Sequence, residues 1–340
     1  MQVLGINAYN SDTSTAILEN GELVAAVEEE RFTRIKHSAG FPAHGIKYCT
    51  DVANSSMSDI GYVAICRDPR AHFLKKIWYA LKNRPKLSDI FDRLKAGSQI
   101  WDLRDQVAGA IGVDPNDFNP QYQKVEHHRA HISSAFYPSP FENSAVFSVD
   151  GFGDFVSAMW GAGRSNSIDI QGWVEFPNSL GVLYTAITQY LGLPKFGDEY
   201  KTMALAAYGA PTQMDKLREI VAIREPIGFQ LDMSYFSHGS NVSTMEWRDG
   251  EPLLDTLYSD KLVKLLGNAP RNRDEEVTDF HRDVAASLQK RLEEIVFSML
   301  NQLYKQTRVK QLCMAGGVAL NCTMNSKIQE NTPFEEIFIQ

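Results

Sequence analysis

The chain has only four cysteines, Cys49, Cys66, Cys313 and Cys322, and no two of them form a Cys-x-x-Cys pair. That scarcity excludes a zinc ribbon and a disulfide-stapled fold, and it fits thiols kept reduced as small buried residues. Long apolar runs are absent too. No window approaches the roughly 20 apolar residues of a membrane helix, and the chain does not open on a basic segment followed by an apolar one. The reading that follows is a cytoplasmic protein with no membrane partner. Positive charge is in short supply, with 34 basic residues against 42 acidic ones and a net charge of -8. On that balance a general nucleic-acid surface is disfavoured, and nucleic acid is not expected as a partner. What is present is ordinary for a globular protein, with 44% hydrophobic and 22% charged residues. At 340 residues the chain is long enough to bury two cores.

The most informative stretch is 126–154. Its opening, His127-His128-Arg129-Ala130-His131, meets no breaker before Pro138, which allows a helical turn. His127 and His131, at i and i+4, then point from one face, and two imidazoles one turn apart are a common way to hold a transition metal. Residues 145–149 form a buried-strand pattern that stops at Asp150-Gly151-Phe152-Gly153-Asp154. An acid beside two glycines offers a carboxylate and bare backbone N–H groups that can approach a phosphate. Both features also have plainer readings. The histidines can be a surface or hydrogen-bonded pair, and Asp-Gly is a frequent hairpin signal.

In chain order, a strand at 2–7 leads into a polar turn centred on Asp12, a strand at 15–18, an Asn20-Gly21 hairpin and a strand at 22–27. The small hydroxyl and amide groups of the first turn suit phosphate or metal-bound water as well as they suit a plain hairpin. Block 28–37 then sets three acids, Glu28, Glu29 and Glu30, against Arg31, Arg34, Lys36 and His37, which by composition is a solvated charged segment. A strand follows at 60–66. Residues 69–120 read as an irregularly helical insertion, with Trp78, Phe91 and Trp101 as packing anchors. Strands at 157–160 and 168–176 precede a helix that starts at Ser179 and runs through Leu191.

Segment 196–209 passes from a loop into a short helix stopped by Gly209, and its Asp198-Glu199-Tyr200-Lys201 cluster serves either as helix capping or as a ligand contact. Residues 224–275 are polar and loop-rich. Residues 279–305 form the longest amphipathic pattern, with Val284, Leu288, Leu292, Ile295, Met299 and Leu303 as its core stripe. The next strand ends in Gly316-Gly317, where a nucleotide can lie against bare backbone. An apolar strand comes last, at 334–339, and a domain seldom ends on such a strand uncovered, so the chain reads as a fragment.

Together these blocks resemble the carbamoyltransferase family that includes nodulation and antibiotic O-carbamoyltransferases. The matching residues are Leu4-Gly5-Ile6-Asn7 with Asp12; the whole of block 28–37; His127, His128 and His131; Val149-Asp150-Gly151; Gly197-Asp198-Glu199-Tyr200-Lys201 with Met203; and Gly316-Gly317-Val318-Ala319-Leu320-Asn321. They stand in the family's order across almost the whole chain. The resemblance implies an α/β, actin/Hsp70-like ATPase fold of two ribonuclease-H-like subdomains, C-terminally truncated. It puts the first subdomain at 1–140, with the helical insertion at about 69–120, and the second at 141–340.

The resemblance also implies a metal held by His127, His131 and Asp150, iron in the first place with zinc or manganese as alternatives. A further family ligand, an aspartate, would lie just beyond Gln340. ATP or ADP with Mg is implied, with Gly316, Gly317 and Asn321 lining the adenosine, Asp12, Gly151 and Gly153 near the phosphate end, and Lys201 facing the nucleotide pocket. Block 30–37 would border the active cleft. Family members carry a C-terminal domain that makes carbamoyl-adenylate from carbamoyl phosphate and ATP, and no residues here correspond to it. Many relatives have a histidine just before the first-turn aspartate, where this chain has Asn10 and Ser11. That leaves Asp12 and His128 as the candidates for the base.

The main expectation is ATP-dependent O-carbamoyl transfer, with carbamoyl phosphate and a hydroxyl-bearing small molecule as partners and a homodimer as the assembly considered. Two other readings stand beside it. One is threonylcarbamoyl transfer to tRNA, against which the acidic balance and the Glu29-Glu30-Arg31-Phe32 block speak. The other is a nucleotide-switched binding protein of the actin/Hsp70 superfamily, which would have no two-histidine metal site.

Overall fold

The computed structural model describes residues 1–56, 59–83, 103–238, 245–248 and 251–340. The chain divides into two compact units, Met1–His127 with Thr244–Leu253, and His128–Ser243 with Leu254–Gln340.

In the first unit, β1 (Gln2–Asn7), β2 (Ser14–Glu19) and β3 (Glu22–Glu28) form an antiparallel meander, and β4 (Ile60–Ile65) and β5 (Gln121–Lys124) add to it in parallel. The strand order is β3-β2-β1-β4-β5. Asn20 and Gly21 both take positive φ, 52° and 92°, which is the two-residue hairpin geometry their sequence predicts. The strict alternation of burial along β1 aims Leu4 and Ile6 into a core shared with Ile17, Ile46, Cys49, Val63, Val107 and Phe118. Ile46 and Cys49 come from the helix Ala43–Val52, and Val107 comes from the helix Leu103–Ile111.

Glu29, which composition assigns to a solvated segment, is buried to 5% exposure. Its carboxylate accepts from the backbone N–H groups of His44 and Gly45, at 3.2 and 2.8 Å, at the start of the helix Ala43–Val52. A charge that satisfies orphan amides at a helix N-terminus is a capping group. Glu29→Gln is expected to lower stability by roughly 1–2 kcal/mol, read as a denaturation midpoint, because it removes a charge-assisted acceptor. Trp78 does not serve as a packing anchor. On the helix Phe73–Asn83 it is 60% exposed, with Lys82 Nζ 5.0 Å from its ring centroid, so a neighbouring ammonium one turn on covers it. Phe91 and Trp101 lie outside the described residues.

The second unit repeats the plan. Here β6 (Asn143–Gly153), β7 (Val156–Arg164) and β8 (Ser167–Glu175) form the meander. Two short hairpins follow in the sequence, β9 (Val221–Ile223) with β10 (Phe229–Leu231), and β11 (Met245–Arg248) with β12 (Glu251–Leu254). Then β13 (Gln311–Ala315) pairs in parallel with β6, and β14 (Glu336–Ile339) in parallel with β13, for the order β14-β13-β6-β7-β8. An antiparallel meander whose first strand continues into two parallel ones is the ribonuclease-H-like sheet. Two copies of it in one chain are the actin/Hsp70-like α/β fold.

This sheet is covered on both faces. Ala145, Phe147 and Val149 meet the helices Leu180–Tyr190 and Asp279–Thr307 on one side. Val146 on the other meets Ile132 and Phe136 of the helix His127–Phe136. The helix thus shares its core with β6, β7 and β13 of the second unit. In the 29-residue helix Asp279–Thr307 the expected stripe, Val284, Leu288, Leu292, Ile295, Met299 and Leu303, is at most 1% exposed throughout.

Near the β6–β7 turn, His238 sits among Phe152, Phe176 and Phe236 and donates from Nε2 to the Pro177 carbonyl at 2.8 Å. Burial holds its pKa below the ordinary 6.5, and the bond to Pro177 opposes that only in part. Below about pH 6.5 the unfolded chain therefore binds more protons than the folded one, and the stability present above that pH is lost as pH falls through the folded value. Urea midpoints are expected to drop between pH 7.5 and 5, with a shallower drop in His238→Gln. Parallel curves for the two proteins would show that this ring is not the cause.

Candidate metal centre

The helix His127–Phe136 and the end of β6 build the centre. On the helix, His128 and Ile132 point into the core and the next positions round point out, which leaves His127 and His131 half-buried on one face. Asp150 is where β6 leaves the buried part of the sheet, after six consecutive buried residues. His127, His131 and Asp150 each present one ligand atom, and these atoms all lie within 4.8 Å of one another. The three residues form a single cluster.

The carboxylate of Asp150 is held in place by its two oxygens separately. Oδ1 accepts from the backbone N–H groups of Gly151 and Gly317, at 2.8 and 3.0 Å. Oδ2 accepts from His131 Nε2 at 2.9 Å. The Gly317 contact exists because β13 runs parallel beside β6, with Ala315 opposite Ser148, and delivers the Gly316-Gly317 turn to the end of β6. A Cβ at Gly317 would lie 2.8 Å from Asp150 Oδ1, so a side chain there would push the acid aside. Gly316 has φ +103°, and its Cβ would meet the Val149 carbonyl oxygen at 2.4 Å. Both glycines are thus required by close backbone approach to the acid's own strand. Backbone donors that orient a ligand's second oxygen are a familiar support for a metal site. Two imidazoles and one carboxylate fit a borderline transition ion and not an all-oxygen Mg or Ca site.

The other expected residues are distributed less simply. His128 is fully buried, with Nε2 donating to the Val156 carbonyl at 2.9 Å and Nδ1 accepting, in the neutral ring, from the Ser148 hydroxyl at 2.8 Å. Both nitrogens are engaged, and the ring pins the helix to β6 and β7 in place of acting as a base. The glycine-rich sequence after Asp150 is a hairpin. β6 runs through Gly153, which pairs with Val156 across a turn whose residues Asp154 and Phe155 have φ of 48° and 78°. Asn321 spends its amide internally, donating to Gln289 at 2.8 Å and accepting from Gln289 at 3.0 Å and from the Met324 N–H at 2.9 Å. That network reaches Tyr184 and Glu293, so Asn321 shapes the chain after β13 and has little polarity left for a ligand. Lys201 pairs with Asp198 on the helix Glu199–Ala206, and the bond raises its pKa above 10.5.

In the first unit, Asp12 sits at φ +59° in the β1–β2 turn and its Oδ1 is 2.8 Å from His37 Nδ1. The pairing of Asp12 with His37 was not expected from the sequence, which placed His37 only in the block bordering the active cleft. The sole signal of His37 in the sequence is membership of a mixed-charge block, and nothing local says that it returns to a turn 25 residues earlier.

A family model described as Carbamoyltransferase N-terminus matches residues 2–340. The chain belongs to that family. Among its relatives, a nodulation protein of Sinorhizobium fredii, NolNO, is 32% identical over 337 residues, covering 98% of this chain and 44% of its own length. An uncharacterized protein of Synechocystis is 33% identical over 344 residues, covering 99% of this chain and 54% of its own length. The chain thus spans about half the length of these relatives. Among solved structures, component A of the (R)-2-hydroxyglutaryl-CoA dehydratase of Acidaminococcus fermentans has a TM-score of 0.49 at 12% identity and covers 100% of this chain and 92% of its own. That distance carries no residue role across. Among the described residues no helix is long and apolar enough to cross a membrane.

Proposed function

We propose that the chain is the carbamoyl-transferring part of an ATP-dependent O-carbamoyltransferase. It would move the carbamoyl group of carbamoyl-adenylate, made from carbamoyl phosphate and ATP, to a small-molecule hydroxyl. The observation that carries this is the cluster of His127, His131 and Asp150 in a chain whose whole length matches the carbamoyltransferase family. The reading includes a cytoplasmic setting, and it leaves the acceptor and any homodimer to measurement.

A divalent transition ion bound there, iron first and zinc or manganese next, would supply Lewis-acid polarisation of the carbamoyl or phosphate oxygen. His127, His131 and Asp150 would hold it, while the Gly151 and Gly317 amides fix the Asp150 carboxylate through Oδ1. The turn at Gly316-Gly317 lets adenosine approach bare backbone, and Gly151 and Gly153 leave room at the phosphate end, where Mg would accompany ATP or ADP. Lys201 supplies positive charge on the nucleotide side once its bond to Asp198 is exchanged. Asp12 carries the acid–base work in the first unit.

The test is metal analysis of the purified protein together with AMP release from added carbamoyl-adenylate in the presence of a hydroxyl acceptor. Stoichiometric metal and hydroxyl-dependent AMP release are expected. Tight ADP binding with neither metal nor AMP would sink the transferase reading in favour of a nucleotide-switched binding protein.

A further inference from the structure

A helix end packs directly against the peptide that carries the acid of the metal centre. Ser179, fully buried, is the residue before the helix Leu180–Tyr190. Its hydroxyl oxygen accepts from the Val182 N–H at 3.0 Å. The same oxygen lies 2.8 Å from the Gly151 carbonyl oxygen and 3.2 Å from that of Asp150. A hydroxyl has one hydrogen, so it donates to the nearer carbonyl, with Asp150 as the weaker second acceptor. Within the first turn of the helix, a Cβ at Gly181 would lie 2.7 Å from the Gly151 nitrogen, 2.8 Å from its Cα and 2.9 Å from the Asp150 carbonyl oxygen. The helix backbone therefore touches the Asp150–Gly151 peptide with no room for a methyl group. All these residues belong to the second unit.

Capping alone does not require this arrangement. An N-cap serine serves its helix with a lone pair and leaves its own hydrogen over. A buried hydroxyl hydrogen needs an acceptor, and here the acceptor is β6 at the point where it leaves the sheet. The ladder from β6 to β13 runs as far as Ser148. The ladder to β7 is regular as far as Val149, and its register shifts before Gly153. Asp150 thus stands just past the regular register of both ladders, and the helix end meets the chain there. The helix is a firm support, because Leu180, Leu183, Ala186, Ile187 and Tyr190 are fully buried in the core of the second unit.

We propose that Ser179 is a positioning residue of the metal centre and that the bare backbone of Gly181 backs it. The proposal rests on the metal-binding part of the reading above and deepens it. Ser179 holds the peptide so that the Gly151 N–H reaches Asp150 Oδ1 while Oδ2 faces His131. Rotation of this peptide takes the Gly151 N–H off Oδ1 and lets the carboxylate turn. Metal affinity then falls although His127, His131 and Asp150 are all still in place.

The experiment titrates chelator-stripped protein with cobalt(II) and follows the visible absorption of the bound ion. The proteins are the wild type, Ser179→Ala, Gly181→Ala and Thr278→Ala. Ser179→Ala is expected to lose roughly 10–100-fold in affinity, the range for groups that support metal ligands, and to show an altered visible spectrum. Gly181→Ala should lose affinity in the same way although alanine is the better helix former, since its methyl displaces the same peptide. Thr278→Ala removes a cap of the same kind from the helix Asp279–Thr307, where the side-chain partner is His281, and should lower the denaturation midpoint with cobalt affinity unchanged. If the wild type binds cobalt while either folded variant, Ser179→Ala or Gly181→Ala, keeps its affinity and spectrum, the positioning role is overturned and the metal site stands. An equal loss of affinity in Thr278→Ala overturns it too, since the effect would then be general destabilisation. Should Ser179→Ala fail to fold, Gly181→Ala decides. A wild type that takes up no cobalt overturns both the positioning role and the metal-binding reading.

Discussion

Replacing His131 by alanine is expected to abolish stoichiometric binding of a transition metal, with an affinity loss of more than ~100-fold, since even the supports of metal ligands are worth 10–100-fold. The reason is geometric. The cluster has three protein donors within 4.8 Å, and removing one leaves His127 and Asp150 as an incomplete pair. Asp150→Asn is the sharper companion. Its amide oxygen can still accept from the Gly151 and Gly317 N–H groups, so the local fold is kept, while the charge facing the metal is gone. Elemental analysis after dialysis decides the matter, with circular dichroism as the check on folding. If both variants fold and retain one metal per chain, the ion is held elsewhere and the cluster is only a hydrogen-bonded group.

Gly316→Ala should produce the largest loss of stability among changes near the site, roughly 2–5 kcal/mol from left-handed strain and overpacking together. Two effects coincide there. The backbone sits at φ +103°, and an added Cβ would lie 2.4 Å from the Val149 carbonyl oxygen and 2.9 Å from its carbon. Both contacts are to backbone inside β6, which cannot yield as a flexible side chain would. Val149 precedes Asp150, so the displaced strand carries the acid with it and metal affinity should fall together with stability. Gly317→Ala differs in having no positive φ and a clash with a side-chain oxygen only, so it should weaken metal binding with a smaller loss of stability. Equal denaturation midpoints for wild type and Gly316→Ala would contradict this account of the turn.

Much of the fold was legible because its signals are local. Asn20-Gly21 names its own hairpin, and Ser179 reads as a helix start and does cap one, accepting from the Val182 N–H at 3.0 Å. The 3.6-residue stripe of the long helix could be counted directly. The shared face of His127 and His131 was legible for a similar reason, since i and i+4 on a helix is a fixed geometry, while the place of Asp150 beside them came from the family resemblance. What escaped depends on distant partners. His127 and His128 are neighbours with opposite fates, and only the packing of β6 and β7 against the helix decides which ring is buried. The internal amide pair of Asn321 and Gln289 spans 32 residues, and no periodicity foretells it. Glu29 looked like one acid in a charged run and is a buried cap. Asp12 and His37 meet through loops stitched by backbone bonds that no residue type announces.

The repeated strand order sets up a comparison inside one chain. β1–β2 and β6–β7 are corresponding hairpins in two sheets of one plan, so the turn bearing Asp12 and the turn after Asp150 occupy equivalent places. In the first sheet the turn is short, polar and tied by Asn7, and its acid holds an imidazole. In the second the first strand runs on through Gly153, and its acid lies beside two histidines. Each sheet is therefore an internal control for the other, since a change at one turn can be read against the same topological position in its counterpart.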